Sequence, residues 1–454
     1  MAARAKPRAR PVPPAAHRRQ AQQHSAATSL RAALARHLGP AHDGIRGPPA
    51  AGGHHQGPRR GGGDERRAGP PGRLPPPAGP AATRRSPVPR GSQPDPVLPE
   101  PAGRNPPAAG GGRMTSARDL DVLVLGGGNF GTALCTILLE NRKKALLWVR
   151  RRELAEEINT RHQNSRYLPG VALRPDLVAV SDLAAAAARA PLLLMVVPTK
   201  AFREVARALG DHIQGDQILI HATKGLEKDS HRRMSEILRE ETCALKIGVL
   251  SGPNLAGELM AGQPAGALLA SHYRECVSAA QAAFAGSRLR LYGGRDVVGT
   301  ELAGAFKNII ALAAGVASGL GLGDNARALL ITRGLSEMAR FGVAHGADVF
   351  TFGGLAGIGD LMATCASPLS RNHQVGERLA RGEKLPAILA SMTQVAEGVP
   401  TTAAVFSRAR QLGLELPIVR AVHGMLYEEW SAQQALAELL RLPVGEELAA
   451  LRYR

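Results

Sequence analysis

The chain has 454 residues, which is long enough for two or three domains, each with its own buried core. Its formal net charge of +19 is unevenly distributed: residues 1–113 contain 19 Arg and Lys against 5 Asp and Glu, which leaves only +5 for the other 341 residues. The main part of the chain therefore has the charge of an ordinary enzyme, and we expect no nucleic acid as its partner.

Residues 1–113 also differ from the rest in composition, since they hold 22 of the 33 prolines. Such a segment buries too little apolar surface to offset the entropy of an ordered chain, so we predict a disordered basic extension over residues 1–117. Three interpretations stay open: a basic arm that contacts nucleic acid or an acidic membrane, a transit peptide, or a segment absent from the native protein. We favour the third, because Met114 lies seven residues before the first predicted strand.

A strand, a glycine-rich turn, a helix and a second strand follow one another between residues 121 and 149. The apolar runs Val122–Leu125 and Ala145–Val149 are typical of strands that are buried on both faces of a sheet. Thr132–Leu139, between them, is mostly apolar and consists of good helix formers. This order within about thirty residues predicts a dinucleotide-binding βαβ unit.

The turn itself carries the glycine spacing of such a unit. Gly126 permits a tight turn, Gly128 allows a pyrophosphate to approach the backbone, and Gly131 allows close packing of the helix against the strand. The N-terminus of the following helix offers unpaired N–H groups and a partial positive charge to phosphates. The alternative is a flexible glycine-rich loop without a ligand, which the flanking strands and helix make the weaker interpretation.

The residues after the second strand bear on the choice of cofactor. An acidic residue there binds the ribose 2′-hydroxyl of NAD, whereas arginine accommodates the 2′-phosphate of NADP. This chain has Arg150 and Arg151 at that point and no carboxylate before Glu153. We therefore predict NADP(H) as the cofactor. NAD stays open as an alternative, because Arg150 can stack on adenine with or without a 2′-phosphate.

Strands and helices continue to alternate up to about residue 297. This alternation predicts a doubly wound, mostly parallel sheet, so we expect a Rossmann-type nucleotide-binding domain over residues 118–297. Ligands in such sheets lie beyond the carboxyl ends of the strands. That rule places three segments around one crevice, namely Pro198-Thr199, Lys224-Gly225 and Ser251–Asn254. Further strands are predicted at Pro191–Val197, Gln217–His221, Ile247–Leu250, Gly266–Ala270 and Leu289–Tyr292, and further helices at Glu153–Arg161, Phe202–Leu209 and His231–Glu240.

From residue 298 to 454 the pattern is that of long helices joined by glycine-rich segments, which predicts an all-α domain. We expect this domain to hold the substrate and the catalytic residues. The predicted helices are Glu301–Ser318, Ala326–His345, Leu385–Ser391, Thr401–Leu412, Ile418–Tyr427 and Ala432–Leu440.

Three features of the helical part could carry chemistry. Lys307 lies in an apolar helix, where burial would lower its pKa toward the range useful for acid–base catalysis, although an ordinary surface lysine fits the same pattern. Asp360 ends a glycine-rich segment and could pair with Lys307, bind a substrate hydroxyl or cap a helix. Ser370-Arg371-Asn372 offers donors for a phosphate, but a capping serine beside a solvated arginine is an equally common arrangement.

The cysteines and the apolar runs bear on metal binding, membrane insertion and the cellular compartment. The four cysteines show no spacing typical of metal ligands, so we expect no bound metal. No run of eighteen apolar residues without a charge occurs, so no membrane span is predicted. A cytoplasmic protein with reduced thiols fits these observations.

Together these segments resemble the bacterial type of NAD(P)-dependent sn-glycerol-3-phosphate dehydrogenase over about Asp121 to Leu442. That family has a Rossmann-type domain followed by a helical one. It interconverts dihydroxyacetone phosphate and sn-glycerol 3-phosphate, and the latter feeds glycerophospholipid synthesis. The resemblance implies this activity and a homodimer for the chain. The motifs on which the resemblance rests are LGGGNFGTAL at 125–134, NSRYLPG at 164–170, TKGLE at 223–227, SGPNLAGEL at 251–259, GAFKNIIAL at 304–312, TRGLSEM at 332–338, TFGGLAGIGDL at 351–361 and SRN at 370–372.

The resemblance also implies roles for individual residues. Lys307 would be the proton donor and acceptor, with Asp360 beside it. Asn308 and Thr364 would support them from behind. The implied cofactor contacts are Gly126, Gly128, Asn129, Phe130, Gly131, Arg150, Arg151, Tyr167, Lys224, Ala256, Arg371, Val395 and Glu397. The implied substrate contacts are Lys224, Gly252, Asn254, Lys307, Asp360, Ser370, Arg371 and Asn372.

Three positions depart from the family pattern. Members of the family usually have Ser-Trp where this chain has Asn129-Phe130, which keeps a polar and an aromatic side chain. They usually have Ser or Thr where this chain has Asn254, so the implied contact of this residue is in doubt.

Two other functions stay open from the residues alone. A dehydrogenase acting on a 3-hydroxy acid or ketopantoate would share the glycine turn and the lysine, but it would have no use for the donors at Ser370-Arg371-Asn372. A non-catalytic protein that binds NADP or nucleic acid through the basic extension would show no turnover with any substrate.

Overall fold

The computed structural model describes residues 118–392 and 395–442, which belong to one compact unit. The predicted disordered extension over residues 1–117 and the expected start at Met114 lie outside the described residues. So do the last residues of the predicted helical domain, 443–454.

An eight-stranded sheet forms the N-terminal half of the described chain. Its spatial order is β3-β2-β1-β4-β5-β6-β7-β8, and every neighbouring pair is parallel except β6 and β7. The predicted doubly wound, mostly parallel sheet is therefore confirmed. The short strand β3 was not predicted. The strands are β1 (Val122–Leu125), β2 (Ala145–Trp148), β3 (Ala179–Val180), β4 (Leu192–Met195), β5 (Ile218–His221), β6 (Lys246–Ser251), β7 (Ala265–Ala270) and β8 (Leu289–Gly294).

Helices cover both faces of this sheet. Successive side chains of β1 point to opposite faces, so Val122 and Val124 join one apolar core while Leu123 and Leu125 join the other. This double burial explains why the strands are continuous apolar runs. The helices are α1 (Asn129–Glu140), α2 (Arg152–Arg161), α3 (Leu183–Ala187), α4 (Thr199–Gly210), α5 (Met234–Glu241), α6 (Ala256–Met260) and α7 (Arg274–Phe284).

The C-terminal half is helical, as predicted, and is built around one buried helix, α8. This helix contains no strongly polar residues except Glu301, Lys307 and Asn308, and nearly all of its side chains are buried. Helices α9, α12 and α14 pack around it. The elements are α8 (Val297–Gly319), α9 (Asp324–Val343), α10 (Val349–Phe352), a π-helical turn (Leu355–Gly359), α11 (Asp360–Ala366), α12 (Arg371–Ala380), α13 (Leu385–Ala390), α14 (Gly398–Gln411), α15 (Pro417–Tyr427) and α16 (Ala432–Leu440).

Four short elements of this half, α10, the π-helical turn, α11 and α12, were not predicted. The π-helical turn lies in the glycine-rich residues 353–359, where glycine lowers the helix propensity, and α10 and α11 flank that segment. The proposed division between domains at residue 297 stays a prediction, because α8 packs on β6 as well as on the helical half.

Two helical segments of the described chain are long and apolar enough to cross a membrane by length and composition alone, Val297–Gly319 and Val349–Ala366. The core helix of a globular protein passes the same test. Most of the first segment is buried within the protein, and it is the central helix α8.

Helices α8 and α12 approach each other through glycine. A Cβ atom on Gly315 would overlap the carbonyl oxygen of His373, and one on Gly376 would overlap the carbonyl oxygen of Leu312. Both obstacles are backbone atoms, which cannot move aside as a flexible side chain would. The two glycines therefore set how closely α12 lies against α8.

We expect Gly315→Ala to lower the free energy of unfolding by about 1–3 kcal/mol, because the added methyl group forces two packed helices apart. The measurement is thermal or denaturant unfolding. Gly257→Ala is the control, since a Cβ at this exposed position of α6 meets open space. It should be neutral or stabilising by at most about 1 kcal/mol. Equal stability of the two variants would contradict the packing argument.

Candidate active site

A cleft of about 740 Å³ lies between the carboxyl ends of the strands and the helical half. The segments that follow β1, β2, β4 and β5 line one side, and α8, α11 and α12 line the other. Its volume falls in the range of roughly 300–1,000 Å³ that is usual for small-molecule and cofactor sites. The crevice predicted at the strand ends is therefore present.

The glycine turn after β1 forms the floor of the cleft. Gly126 has a φ of +123°, which other residues rarely adopt, and a Cβ on Gly131 would overlap the carbonyl oxygen of Gly126. A Cβ on Gly128 would meet no atom, so the backbone there is open to the cleft. No side chain caps α1 at Gly128. The turn thus has the open backbone and the uncapped helix N-terminus that bind phosphate.

Arg150 and Arg151 line the rim of the cleft just beyond β2, and both are exposed. The only carboxylate near Arg150 within the described chain's ion pairs is Glu204, with 4.0 Å between Nη1 and Oε2. An exposed ion pair at this distance contributes little to the stability of the protein. Tyr167 also lines the cleft, with the guanidinium of Arg166 5.6 Å from the centre of its ring. The rim is therefore cationic where a nucleotide's ribose would lie.

On the opposite side, one buried carboxylate holds two lysines. Lys307 Nζ lies 2.7 Å from Asp360 Oδ1, and Lys224 Nζ lies 2.7 Å from Asp360 Oδ2. Lys307 also donates to Thr364 Oγ1 over 2.6 Å. Only 6% of Lys307 and 1% of Asp360 are exposed. The pairing that the sequence left open between Lys307 and Asp360 is therefore formed, and Lys307 is no surface lysine.

The electrostatics of this trio follow from burial and charge. Burial lowers the pKa of Lys307 to about 8, although the Asp360 carboxylate opposes the change and Lys224 adds to it. Burial alone would raise the pKa of Asp360, but the ammonium groups of Lys224 and Lys307 outweigh it, so the pKa is lowered. Lys307 can therefore gain and lose a proton near neutral pH while Asp360 stays ionised.

Lys224 has two further partners in the segment after β6. Its Nζ atom lies 3.2 Å from the carbonyl oxygen of Gly252 and 3.3 Å from Asn254 Oδ1. Gly252 itself lies outside the lining of the cleft, and its φ of +144° is one that residues other than glycine rarely adopt. Its contact with the site is the one between its carbonyl oxygen and Lys224. Asn254 lines the cleft, and its buried Nδ2 has no partner in the described part of the chain. That amide is a free donor.

The three polar residues at the start of α12 have different positions. Ser370 is the N-cap of α12 and lies outside the lining; its Oγ accepts from His373 N over 3.4 Å. Arg371 and Asn372 line the cleft. Burial lowers the pKa of Arg371, whose Nη1 donates to the carbonyl oxygen of Val395 over 2.8 Å. The interpretation of a capping serine is thus correct for Ser370, whereas Arg371 is not a solvated surface residue.

Amide contacts hold this helix start in place. Asn372 Nδ2 donates to Asn308 Oδ1 over 2.9 Å, and Asn372 Oδ1 accepts from Gly398 N over 2.9 Å. Because Asn308 directly follows Lys307 on α8, the lysine and the start of α12 keep a common position. The second hydrogen of the Asn372 amide stays available as a donor.

Val395 and Glu397 line the cleft from the segment before α14. Glu397 Oε1 accepts from Thr199 N, at the start of α4, over 3.3 Å. Burial raises the pKa of Glu397, although this hydrogen bond opposes the change. The contact links the helical half to the sheet half directly above the cleft.

Most of the residues predicted for the site line this cleft; Gly252 and Thr364 contact Lys224 and Lys307 from outside the lining, and Ser370 lies outside it as the cap of α12. The lining also includes residues that were not predicted, among them Arg166, Lys200, Leu389 and Met392. Lys200 could have been found from the strand-end rule, because it directly follows Pro198-Thr199. The predicted residues that do line the cleft are Gly126, Gly128, Asn129, Phe130, Gly131, Arg150, Arg151, Tyr167, Lys224, Asn254, Ala256, Lys307, Asn308, Asp360, Arg371, Asn372, Val395 and Glu397.

A glycine turn with an open backbone on a mostly parallel sheet, facing a buried lysine–aspartate pair on a helical half, is typical of the class of nicotinamide-dependent dehydrogenases. Family profiles identify the particular family. The profile described as NAD-dependent glycerol-3-phosphate dehydrogenase N-terminus matches residues 121–277, and the one described as its C-terminus matches residues 296–437. The chain belongs to the NAD-dependent glycerol-3-phosphate dehydrogenase family, as the sequence motifs indicated.

Individual relatives agree with this assignment. The glycerol-3-phosphate dehydrogenase (NAD(P)+) of Teredinibacter turnerae is 44% identical over 309 residues, which are 68% of this chain and 91% of the relative. The enzyme of the same name from Desulfovibrio desulfuricans is 44% identical over 333 residues, covering 73% of this chain and 100% of the relative.

Solved structures of glycerol-3-phosphate dehydrogenases have a similar fold. The crystal structure of glycerol-3-phosphate dehydrogenase from Coxiella burnetii is 37% identical with a TM-score of 0.69, and the match covers 71% of this chain and 99% of that one. The yeast glycerol-3-phosphate dehydrogenase structure is 28% identical with a TM-score of 0.62, covering 70% and 99% respectively.

We expect Asp360→Asn to lower the free energy of unfolding at pH 7 by about 3–5 kcal/mol, because the buried ammonium group of Lys307 and the partly buried one of Lys224 lose their counter-charge. The deficit should shrink as the pH rises toward 9. The pKa of Lys307 is already below its ordinary value of 10.5 and would fall further, so the native state binds fewer protons than the unfolded state. Unfolding between pH 6.5 and 9 measures both effects.

Asp216→Asn is the control, since Asp216 pairs with Arg118 on the surface over 2.8 Å. It should change the free energy of unfolding by at most about 1 kcal/mol. An Asp360→Asn protein that is as stable as this control would refute the pairing argument.

Proposed function

We propose that this chain catalyses the reversible reduction of dihydroxyacetone phosphate to sn-glycerol 3-phosphate with NAD(P)H, and so supplies glycerophospholipid synthesis. The observation that carries the proposal is the trio of Lys224 with the buried Asp360 and Lys307, which lies across the cleft from the glycine turn. The trio offers a titrating proton donor at the place where a reduced carbonyl would need one.

The residues around the glycine turn fit a dinucleotide. The open backbone at Gly128 and the uncapped start of α1 suit a pyrophosphate, and Ala256 and Tyr167 line the same part of the cleft. The exposed Arg150 and Arg151 support NADPH as the preferred cofactor, since guanidinium groups bind a 2′-phosphate. NAD(H) is the alternative. Val395 and Glu397 would close over the nucleotide from the helical half.

The bound nicotinamide supplies the hydride. Lys307 Nζ, protonated near neutral pH, donates its proton to the carbonyl oxygen on which negative charge develops. In the reverse direction the neutral amine accepts the proton of the C2 hydroxyl. Asp360 stays ionised, holds Lys307 in place, and keeps Lys224 close enough for its charge to stabilise the same oxygen.

The substrate phosphate needs cationic and N–H donors away from the reacting carbon. Arg371 and the free hydrogen of Asn372 supply them at the start of α12, and the unpaired Nδ2 of Asn254 supplies another on the sheet side. Binding energy at these donors would orient the carbonyl group toward the nicotinamide. Ser370 would contribute indirectly, by capping α12, and Gly252 through its carbonyl contact to Lys224.

We further propose that the protein acts in the cytoplasm as a homodimer. The four cysteines are free thiols, which fits a reducing compartment. The two other functions considered from the sequence have weaker support. The substrate of a ketopantoate or 3-hydroxy acid dehydrogenase has no phosphate for Arg371 and Asn372 to bind. A non-catalytic binding protein would not need the buried Lys307.

Initial rates test this proposal. NADPH oxidation should depend on dihydroxyacetone phosphate, exceed the rate with ketopantoate, and be faster with NADPH than with NADH. Lys307→Met should lower turnover by about 10²- to 10⁴-fold while NADPH binding, measured by calorimetry, is retained. The matched control is Lys228→Met, an exposed lysine just beyond Lys224, which should keep full activity. Turnover by Lys307→Met close to that of the unaltered enzyme would remove Lys307 from the mechanism.

The two reaction directions should depend on pH in opposite ways. Reduction needs the protonated amine of Lys307, so its kcat/KM should fall as the pH rises through about 8. Oxidation of sn-glycerol 3-phosphate needs the neutral amine, so its kcat/KM should rise over the same interval. Profiles from pH 6 to 10 measure both. Profiles that run in parallel in the two directions would contradict the assigned role.

A further inference from the structure

A second buried carboxylate, that of Glu301, lies near the start of α8, and no step of the proposed reaction uses it. Its Oε1 accepts from Ser235 N over 2.7 Å, and its Oε2 accepts from Ser235 Oγ over 2.7 Å and from Arg233 Nη1 over 2.6 Å. His221 Nε2 lies 3.1 Å from Oε1. The residues Glu301, Ser235, Arg233 and His221 are called the Glu301 cluster below.

The carboxylate of this cluster is ionised. Burial would raise the pKa of Glu301, but His221, at the end of β5, and Arg233, at the N-cap of α5, lower it to about 2. Arg233 is in turn paired with Glu236 over 3.0 Å. A buried carboxylate with these partners is costly to displace, because moving it would leave charges unpaired inside the protein.

The cluster joins the two elements that carry the catalytic lysines. His221 ends β5, and Lys224 follows it by three residues. Glu301 precedes Lys307 by six residues on α8, a rise of about 9 Å along the same helix. Between them, a Cβ on Gly304 would lie 2.8 Å from Ser251 Oγ and 3.3 Å from Lys224 Cγ, so α8 rests directly on the stem of Lys224.

We propose that Glu301 is a positioning residue: by holding the start of α8 against the end of β5 and the start of α5, it sets where Lys307 and Lys224 meet Asp360. On the side of α8 that faces β5 and α5, the helix makes polar contacts at Glu301 and a close backbone approach at Gly304. Gly304 contributes only van der Waals contact. The Glu301 cluster supplies the directional bonds.

Loss of these bonds has a specific consequence. An α8 helix that is free to shift would expose the Lys307 ammonium group to water, which raises its pKa, because burial is the largest cause that lowers it. Movement away from Lys224 acts in the same direction and movement away from Asp360 opposes it, so we expect the effect of hydration to prevail. The glycine turn would be unaffected, because it is formed by the residues between β1 and α1. The catalytic part of this consequence rests on the proposed function, whereas the proton affinity of Lys307 does not.

The experiment compares three variants. Glu301→Gln keeps the shape of the side chain and removes its charge, and Ser235→Ala removes one hydrogen bond. The matched control is Glu337→Gln, since Glu337 is an equally buried carboxylate that accepts from Ile418 N and Val419 N and lies in another part of the helical half. The readouts are kcat, KM, NADPH affinity, and the pH midpoint of Lys307 acylation by acetic anhydride, read by peptide mass spectrometry.

In Glu301→Gln the midpoint of Lys307 acylation should move upward by at least about half a pH unit. Its kcat should fall about 10- to 100-fold, with NADPH affinity retained. Ser235→Ala should show a smaller change in the same direction, and Glu337→Gln should lose stability without any shift of the midpoint.

An unchanged midpoint in Glu301→Gln would overturn the proposal, whatever stability or activity is lost. If that variant does not fold, Ser235→Ala decides by the same criterion. Failure of the proposed function is a separate result: the unaltered enzyme would then show no NADPH oxidation with dihydroxyacetone phosphate, while the acylation midpoints still test the role of Glu301.

Discussion

The carboxylate of Asp360, buried between the ammonium groups of Lys224 and Lys307, is the interaction on which the site depends. Each oxygen of the carboxylate holds one lysine, and the lysines come from the sheet half and from the central helix α8. This buried charge therefore links the two halves, and together with the burial of Lys307 it sets the pKa of that lysine to about 8. Stability and acid–base chemistry share the same three side chains.

The close packing around α8 holds Lys307 in its position relative to α12. Gly315 lets α12 approach α8 at backbone distance, and the amide pair of Asn308 and Asn372 then connects the residue after Lys307 to the residue after Arg371. Lys307, the proposed proton donor, and Arg371, the proposed phosphate ligand, thus lie on two helices that are held together by these contacts. A cleft built in this way is largely organised before any ligand binds, which reduces the entropy that binding must offset.

Much of the fold could be predicted from the sequence, because it depends on short-range patterns. The apolar strands and the glycine turn follow from double burial and from the steric needs of a tight turn. The helices α10, α11 and α12 could not be predicted in this way. These helices are short, α10 and α11 flank the glycine-rich residues 353–359, and all three pack against α8, which stabilises a helical form that intrinsic propensity alone does not. The role of Ser370 could not be decided from the sequence either, since only the structure assigns its hydroxyl to the cap of α12.

By itself, the sequence determined the nucleotide-binding turn, the alternation that builds the sheet, and the residue types of the site. Each of these is encoded within a few residues or within one period of a strand or helix. Only the tertiary structure decided that Lys307 is buried, that its partner is Asp360, 53 residues away, and that Lys224, 136 residues from Asp360, shares that carboxylate. The physical reason is that proton affinity depends on solvent exclusion and on charges brought together from distant parts of the chain, which no local pattern encodes.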